Sequence, residues 1–329
     1  MTAFAPILQA FFTDRLITQR QASGHTIATY RDTFRLLLGF AADQYRTPPQ
    51  RLRLEDLDAQ FIAAFLDHLE TQRHNSIRTR NARLTAIHSL FGYAALRYPE
   101  HAALISRVLA IPAKRYDRNL LTWLTEPETE ALLAACHRGT WTGRRDHTML
   151  LLTVQTGLRI SELTALSCSD VHLGDGPHVH CLGKGRKHRD TPLLPVTVAA
   201  LRVWLTERRG HPDDPLFPTS TGRRLSRDAI EQRISLYHSR AGRTCPSIST
   251  KKVTAHTLRH TAAMRLLQSG ADVTVIALWL GHEQITTTQI YLHADMTQKQ
   301  RAIAKTTPPD VKPGRYQPTD RLLAWLQTL

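Results

Sequence analysis

The apolar residues of this chain recur every three or four positions almost throughout, and only between Val171 and Leu194 does the period shorten to two. That pattern predicts a mainly α chain with one small antiparallel β-sheet. Ile7, Leu8, Phe11, Phe12 and Leu16 give a helix over 6–20, broken at Ser23-Gly24. Ile27, Tyr30, Phe34, Leu37, Leu38 and Ala41 give a second over 26–44, ended by Pro48-Pro49, whose rings fix φ and remove donors. Phe61, Ile62, Phe65, Leu66 and Leu69 predict a helix over 58–72 with Asp58 as N-cap, and Ile77, Leu84, Ile87, Leu90 and Phe91 predict one over 76–96. Residues 1–98 therefore read as a four-helix bundle of a size that folds alone. Residues 99–118 are less periodic, contain Pro112 and end in a polar run from Lys114 to Arg118; they read as a linker.

A second domain is expected over 119–306. Thr125 fits an N-cap, Pro127 an early helical position and Glu128 the third-residue partner of a capping box. Helical spacing continues through Leu166. Val179, Cys181, Thr191 and Leu193 then alternate around Gly183-Lys184-Gly185, the mark of a hairpin or a three-stranded sheet. Further helices are predicted over 197–208, 226–239, 256–268, 272–280 and 286–294. Residues 307–314 are a Pro-rich linker, and 319–329 carry Leu322, Leu323, Trp325, Leu326 and Leu329 on a helix too short to stand without a surface to pack on.

A length of 329 residues suits two domains. The net charge of +15 rests on 43 basic residues, of which 35 are Arg. A guanidinium fork grips phosphate oxygens bidentately, so this bias fits a nucleic-acid partner, although a GC-rich coding bias raises Arg as well. The four cysteines form no CxxC pair, no basic stretch precedes an apolar leader, and no apolar run approaches about 20 residues. A reduced, soluble, cytoplasmic chain is expected.

Some side chains carry chemistry. Arg159 follows Gly157 near a helix start, with Glu162 three residues on. Taken alone it reads as a local salt bridge; in company it reads as a phosphate clamp backed by a carboxylate. His256 and Arg259 share one helix at i,i+3 behind Lys251-Lys252, where a helix N-terminus favours anions. His256 and His260 have the i,i+4 spacing of a zinc helix, but Thr257 follows His256 and no third ligand is evident, so His260 is placed in support. Gly281 ends a helix, His282 follows it, and Tyr291 lies nine residues further on. A lone helical Tyr is ordinarily core. Lys184, Arg186, Lys187 and Arg189 crowd a glycine-flanked turn, and Arg78, Arg80 and Arg83 sit on early turns of the fourth helix; all seven are candidates for DNA contact, as are Lys251 and Lys252.

In order, Gly157-Leu-Arg159-Ile-Ser-Glu162-Leu163, the Gly183–Arg189 turn, His256-Thr-Leu-Arg259-His260, Leu280-Gly281-His282 and Thr288-Gln-Ile-Tyr291 resemble the tyrosine recombinases, the phage integrase family, and especially their Xer-like branch. The resemblance spans nearly the whole chain. It implies an N-terminal SAM-like core-binding domain that closes over DNA and a catalytic domain that cuts and rejoins strands through a 3′-phosphotyrosyl link. It further implies Tyr291 as nucleophile, Arg159, Lys184, His256, Arg259 and His282 as its assistants, and Glu162 and His260 in support. In this reading His256 takes or shares the phenol proton and Lys184 serves the leaving oxygen. No cofactor and no metal are expected. The implied partners are double-stranded DNA, other copies in a synaptic tetramer, and an accessory recombinase or DNA-bending protein, with the chain on the nucleoid. Pro-rich linker and terminal helix lean towards a mobile element. A nicking-closing topoisomerase and an inactive DNA-binding regulator are the competing readings.

Overall fold

Phe4 and Ile7 on α1 (Phe4–Ala10) are buried together with Phe11 and Leu16 on the π-helical stretch Phe11–Gln19 that continues it. In that stretch the bonds reach five residues back, as from Arg20 N to Arg15 O at 3.0 Å, where the sequence predicts a regular helix. The computed structural model describes residues 2–116, 121–183, 188–282, 284 and 286–294, of which 286 and 292–294 by backbone only. It divides into two units, Met1–Asn119 and Leu120–Leu329.

The first unit is helical. Ser23 Oγ accepts from Thr26 N at 3.2 Å to start α2 (Gly24–Tyr45), Asp58 from Phe61 N at 2.8 Å to start α3 (Ala59–Thr71), and Ser76 from Thr79 N at 3.2 Å to start α4 (Ile77–Ala95). Phe34, Phe65, Leu66, Leu90 and Phe91 meet in one apolar core. The segment read as a linker contributes to that core: α5 (Ala102–Leu109) packs on α4 and buries Ile105 and Val108. Leu104, Ile105, Val108 and Leu109 stand at helical spacing, but the run is short and is followed by Pro112 and a polar stretch, so it reads as linker in the sequence.

In the second unit the capping box forms as expected: Thr125 N donates to Glu128 Oε2 at 2.8 Å ahead of α6 (Glu126–Ala134). α7 (Trp141–Thr156) ends at Gly157, and α8 (Ile160–Ala165) follows. The period-two stretch is a three-stranded antiparallel sheet, β1 (Val171–His172), β2 (His178–Leu182) and β3 (His188–Pro192). Val179 faces Thr191 and Cys181 faces Arg189, with Val179, Cys181 and Thr191 buried. α9 (Pro195–Arg208), α10 (Arg227–Ala241) and the short α11 (Pro246–Ser249) lead to α12 (Ala255–Gln268), which packs on α7. α13 (Val273–Leu280) and α14 (Thr286–Ala294) close the described part, with Leu267, Ile276, Leu280 and Tyr291 in a second small core beside α12. Residues 307–329, including the expected terminal helix, lie outside the described residues.

Candidate active site

Two helix ends converge to build the site. α7 stops at Gly157 with φ +65° and α13 stops at Gly281 with φ +64°, the left-handed turn that favours glycine. A Cβ on Gly157 would stand 2.6 Å from Leu280 Cδ2, so the glycine also permits the two ends to approach. The last carbonyls of a helix have no intrahelical donor and carry the negative end of its dipole. Here side-chain donors meet them. Arg259, from α12, gives Nη1 to Gly157 O and Nη2 to Leu280 O, both at 2.6 Å. Arg159, at the cap of α8, gives Nη2 to Gly281 O at 2.8 Å, and Trp279 Nε1 reaches Thr156 O at 3.1 Å.

A buried carboxylate sets the other side of Arg159. Glu162 accepts Arg159 Nη1 at 2.8 Å and Arg159 N at 2.7 Å, and Arg189 Nη1 and Nη2 at 2.9 and 2.8 Å. Burial pushes Glu162 upwards, but the Arg189 and Arg159 contacts outweigh it and hold the carboxyl below its usual range. Arg259 is itself buried. Burial, then the nearby Arg159, bring its pKa down to about 10, so it remains a cation at neutral pH.

Tyr291 on α14 is 2% exposed. Burial raises its phenol to about 12, against the pull of Arg259 and Arg159. Its Oη lies 3.0 Å from His260 Nδ1, the rings meeting at 65°, and the His282 ring stacks parallel to it at 6.4 Å. His282 Nδ1 is 2.7 Å from Thr288 Oγ1. Burial and then Arg259 push His282 down to about 4, and burial and then His256 push His260 down to about 3, so both are neutral at pH 7. His256 is exposed, its ring edge-on to His260 at 4.1 Å. Among the described residues no three His, Cys, Asp or Glu side chains gather to hold a metal ion.

Arg159, Glu162, His256, Arg259, His260, His282 and Tyr291 thus come together. Lys184, Arg186 and Lys187 lie outside the described residues. Three of the expected DNA contacts have partners within the protein. Arg189 is spent on Glu162; Lys251 donates to Glu128 at 2.6 Å and to Trp123 O at 2.9 Å; Arg80 is buried against Glu70 and donates to Pro112 O at 3.1 Å. Each is a cation paired with a carboxylate of its own unit. Arg83 is half-buried, whereas Arg78 and Lys252 are exposed, Arg78 standing over the Tyr116 ring at 5.6 Å. Thr288 and Trp279 were not among the expected site residues. Thr288 lies within the Thr-Gln-Ile-Tyr run, but a Thr three positions from a Tyr carries no signal of its own.

A model of the phage integrase family matches residues 122–298, and one of the phage integrase N-terminal SAM-like domain matches 10–97. The chain is 53% identical over 327 residues to the "Putative integrase/recombinase y4rC" of Sinorhizobium fredii, covering 99% of this chain and 98% of that one. It is 33% identical over 293 residues to the tyrosine recombinase XerD of Shewanella oneidensis, covering 88% and 92%. Among solved structures it is similar to the XerH site-specific recombinase bound to difH substrate, with a TM-score of 0.64, 25% identity, and 87% and 81% of the two chains covered. The Tn1549 transposon integrase in complex with circular intermediate DNA shares its fold, with a TM-score of 0.70 at 16% identity over 93% and 100% of the chains.

Proposed function

Because the chain belongs to the phage integrase family and is a site-specific recombinase, we propose that Tyr291 attacks a DNA phosphodiester and that strands are exchanged through a 3′-phosphotyrosyl intermediate. The observation that carries this reading is the anchoring of Arg159 and Arg259 on the ends of α7 and α13 beside the buried Tyr291. A guanidinium has five N–H donors. Fixing two of them on protein acceptors sets its plane, and the remainder can meet the non-bridging oxygens of one phosphate. Donors held in place before the substrate arrives need no reorganisation as charge builds in the transition state.

In this reading Glu162 orients Arg159, and Arg189 keeps that carboxylate ionised. Thr288 occupies His282 Nδ1 and leaves Nε2 to meet a phosphate oxygen, while His256 approaches the phosphate from the exposed face of α12. Lys184 protonates the departing 5′-oxygen. The cations do the work a metal does in other phosphoryl transfers, so none is required. The phosphotyrosyl bond keeps the energy of the broken ester, and a 5′-hydroxyl from another strand reverses the step without ATP. Exchange between two duplexes calls for several protomers on paired DNA sites. No described helix is long and apolar enough to cross a membrane, and the reading puts the chain in the cytoplasm, on DNA. Single-turnover cleavage of a nicked substrate in excess EDTA tests the mechanism: it should proceed at an undiminished rate, and a strict need for a divalent ion in that step would refute it.

A further inference from the structure

His260 lies on α12 one helical turn after His256, and its Nδ1 stands 3.0 Å from the oxygen of Tyr291. We infer that His260 receives the hydrogen bond of the Tyr291 phenol and takes its proton as the bond from Oη to phosphorus forms. This rests on Tyr291 being the nucleophile, and it moves the proton from His256, where the sequence motif alone had put it, to the neighbour one turn along.

The geometry supports an acceptor. His260 is flanked by His256 and Arg259 on its own helix, by His282 after α13 and by Tyr291 on α14. Burial, then His256, Arg259 and His282, resist a positive charge, so the imidazole is neutral at pH 7, and a neutral ring with its proton on Nε2 offers Nδ1 as a lone pair. The Tyr291 O–H is then the donor. In the resting site the proton stays on oxygen, because burial pushes the phenol up to about 12 and the imidazole down to about 3. The nucleophile is therefore latent until DNA is seated.

A seated phosphodiester changes both sides of that balance. Its negative charge answers Arg159, Arg259 and the histidines, which makes an imidazolium at 260 less costly. As Oη donates electrons to phosphorus its own O–H becomes strongly acidic, and the proton passes to the base already in contact. The step balances: the Oη–P bond forms, the P–O5′ bond breaks, the phenol proton moves to His260 Nδ1, and the leaving oxygen takes a proton from Lys184. On rejoining, His260 returns its proton to the departing phenolate.

His260→Asn separates proton transfer from mere placement. The Asn Oδ1 is as many bonds from the backbone as Nδ1 and accepts the same hydrogen bond, but an amide oxygen does not take a proton near neutrality. On a nicked suicide substrate the variant should bind DNA as the wild type does and cleave about 10²–10³-fold more slowly. The deficit should shrink at least about tenfold when Tyr291 is replaced by a fluorinated tyrosine, whose more acidic phenol needs less help from a base. Cleavage within about threefold of wild type would overturn the proposal, and so would a deficit of equal size with both phenols. If His260→Asn does not melt as a folded protein, His260→Ala with added imidazole decides. Restored cleavage supports proton transfer, and no restoration overturns it. Failure of the underlying reading is visible separately, as a DNA adduct that still forms in Tyr291→Phe.

Discussion

The bundle core of the first unit and the arginine site of the second are both built around buried groups, but these are held by different kinds of contact. In the bundle, Phe34, Phe65, Leu90 and Phe91 fill the interior, and a buried cation such as Arg80 is an exception at its margin, answered by Glu70 and one carbonyl. In the site of the second unit Arg259, Glu162 and Tyr291 are buried: two helix ends answer Arg259, Arg159 and Arg189 answer Glu162, and His260 meets Tyr291. Apolar packing is non-directional and tolerates swaps that conserve volume. A guanidinium strung between Gly157 O and Leu280 O is directional, and no other side chain reproduces it. The first region holds its shape because it is full. The second holds two cations close together, against their repulsion, because its acceptors are built into helix ends.

The comparison breaks most readily at Arg259. Arg259→Lys keeps the charge but loses the fork, and Arg259→Ala strands two carbonyls; each should lower single-turnover cleavage by about 10³-fold or more. Near-normal cleavage by the Lys variant would show that charge alone suffices. Phe65→Ala is the mirror case. It should cost about 3–5 kcal/mol of stability by chemical denaturation, while the variant that remains folded still forms the covalent adduct. Gly157→Ala joins the two regions' logics, because a methyl group there meets Leu280 and demands a left-handed backbone. It should destabilise by about 2–4 kcal/mol and slow cleavage as well, since the Arg259 anchor moves with it.

Acid should act on the second region. His282 has a folded pKa of about 4, below the unfolded value of about 6.5, so the unfolded state binds more protons between those limits. The stability contributed by neutral His282 is whole above about 6.5 and is lost as pH falls towards about 4; His260 acts in the same sense. Melting temperatures measured from pH 7 downwards should fall through this window, and less steeply in His282→Gln. An equal fall in both would assign the effect elsewhere. The smallest effect concerns two arginines two residues apart on α4. Arg78→Ala should leave stability unchanged and reduce the slope of log affinity for DNA against log salt by about 1, whereas Arg80→Ala should lower stability by about 1–2 kcal/mol. Exchanged outcomes would mean that burial is a poor guide to which cations meet DNA.

Sequence reading succeeded where the controlling physics is local. Caps at Asp58 and Thr125, the glycine that ends α13, and the alternation of Val179 and Cys181 all depend on neighbours within four residues. The i,i+3 pair of Arg159 and Glu162 was legible for the same reason. The pairing of Arg189 with Glu162 spans 27 positions and that of Lys251 with Glu128 spans 123, so nothing in either local pattern distinguishes an inward cation from a solvated one. The burial of α5 was missed because its apolar run, Leu104, Ile105, Val108 and Leu109, is short and is followed by Pro112 and a polar stretch. The contact of His260 with Tyr291 was missed because it joins two helices 31 residues apart, and only their packing brings the rings together.

The central claim is that Tyr291 becomes covalently attached to DNA. A nicked suicide substrate incubated with the wild-type chain, followed by protease digestion and mass spectrometry of the DNA-linked peptide, tests it directly. The account predicts a 3′-phosphate ester on the peptide containing Tyr291, formed in the presence of EDTA and absent from Tyr291→Phe. Attachment through Tyr237, Tyr316 or any serine, or cleavage that leaves no protein on the DNA, would contradict it.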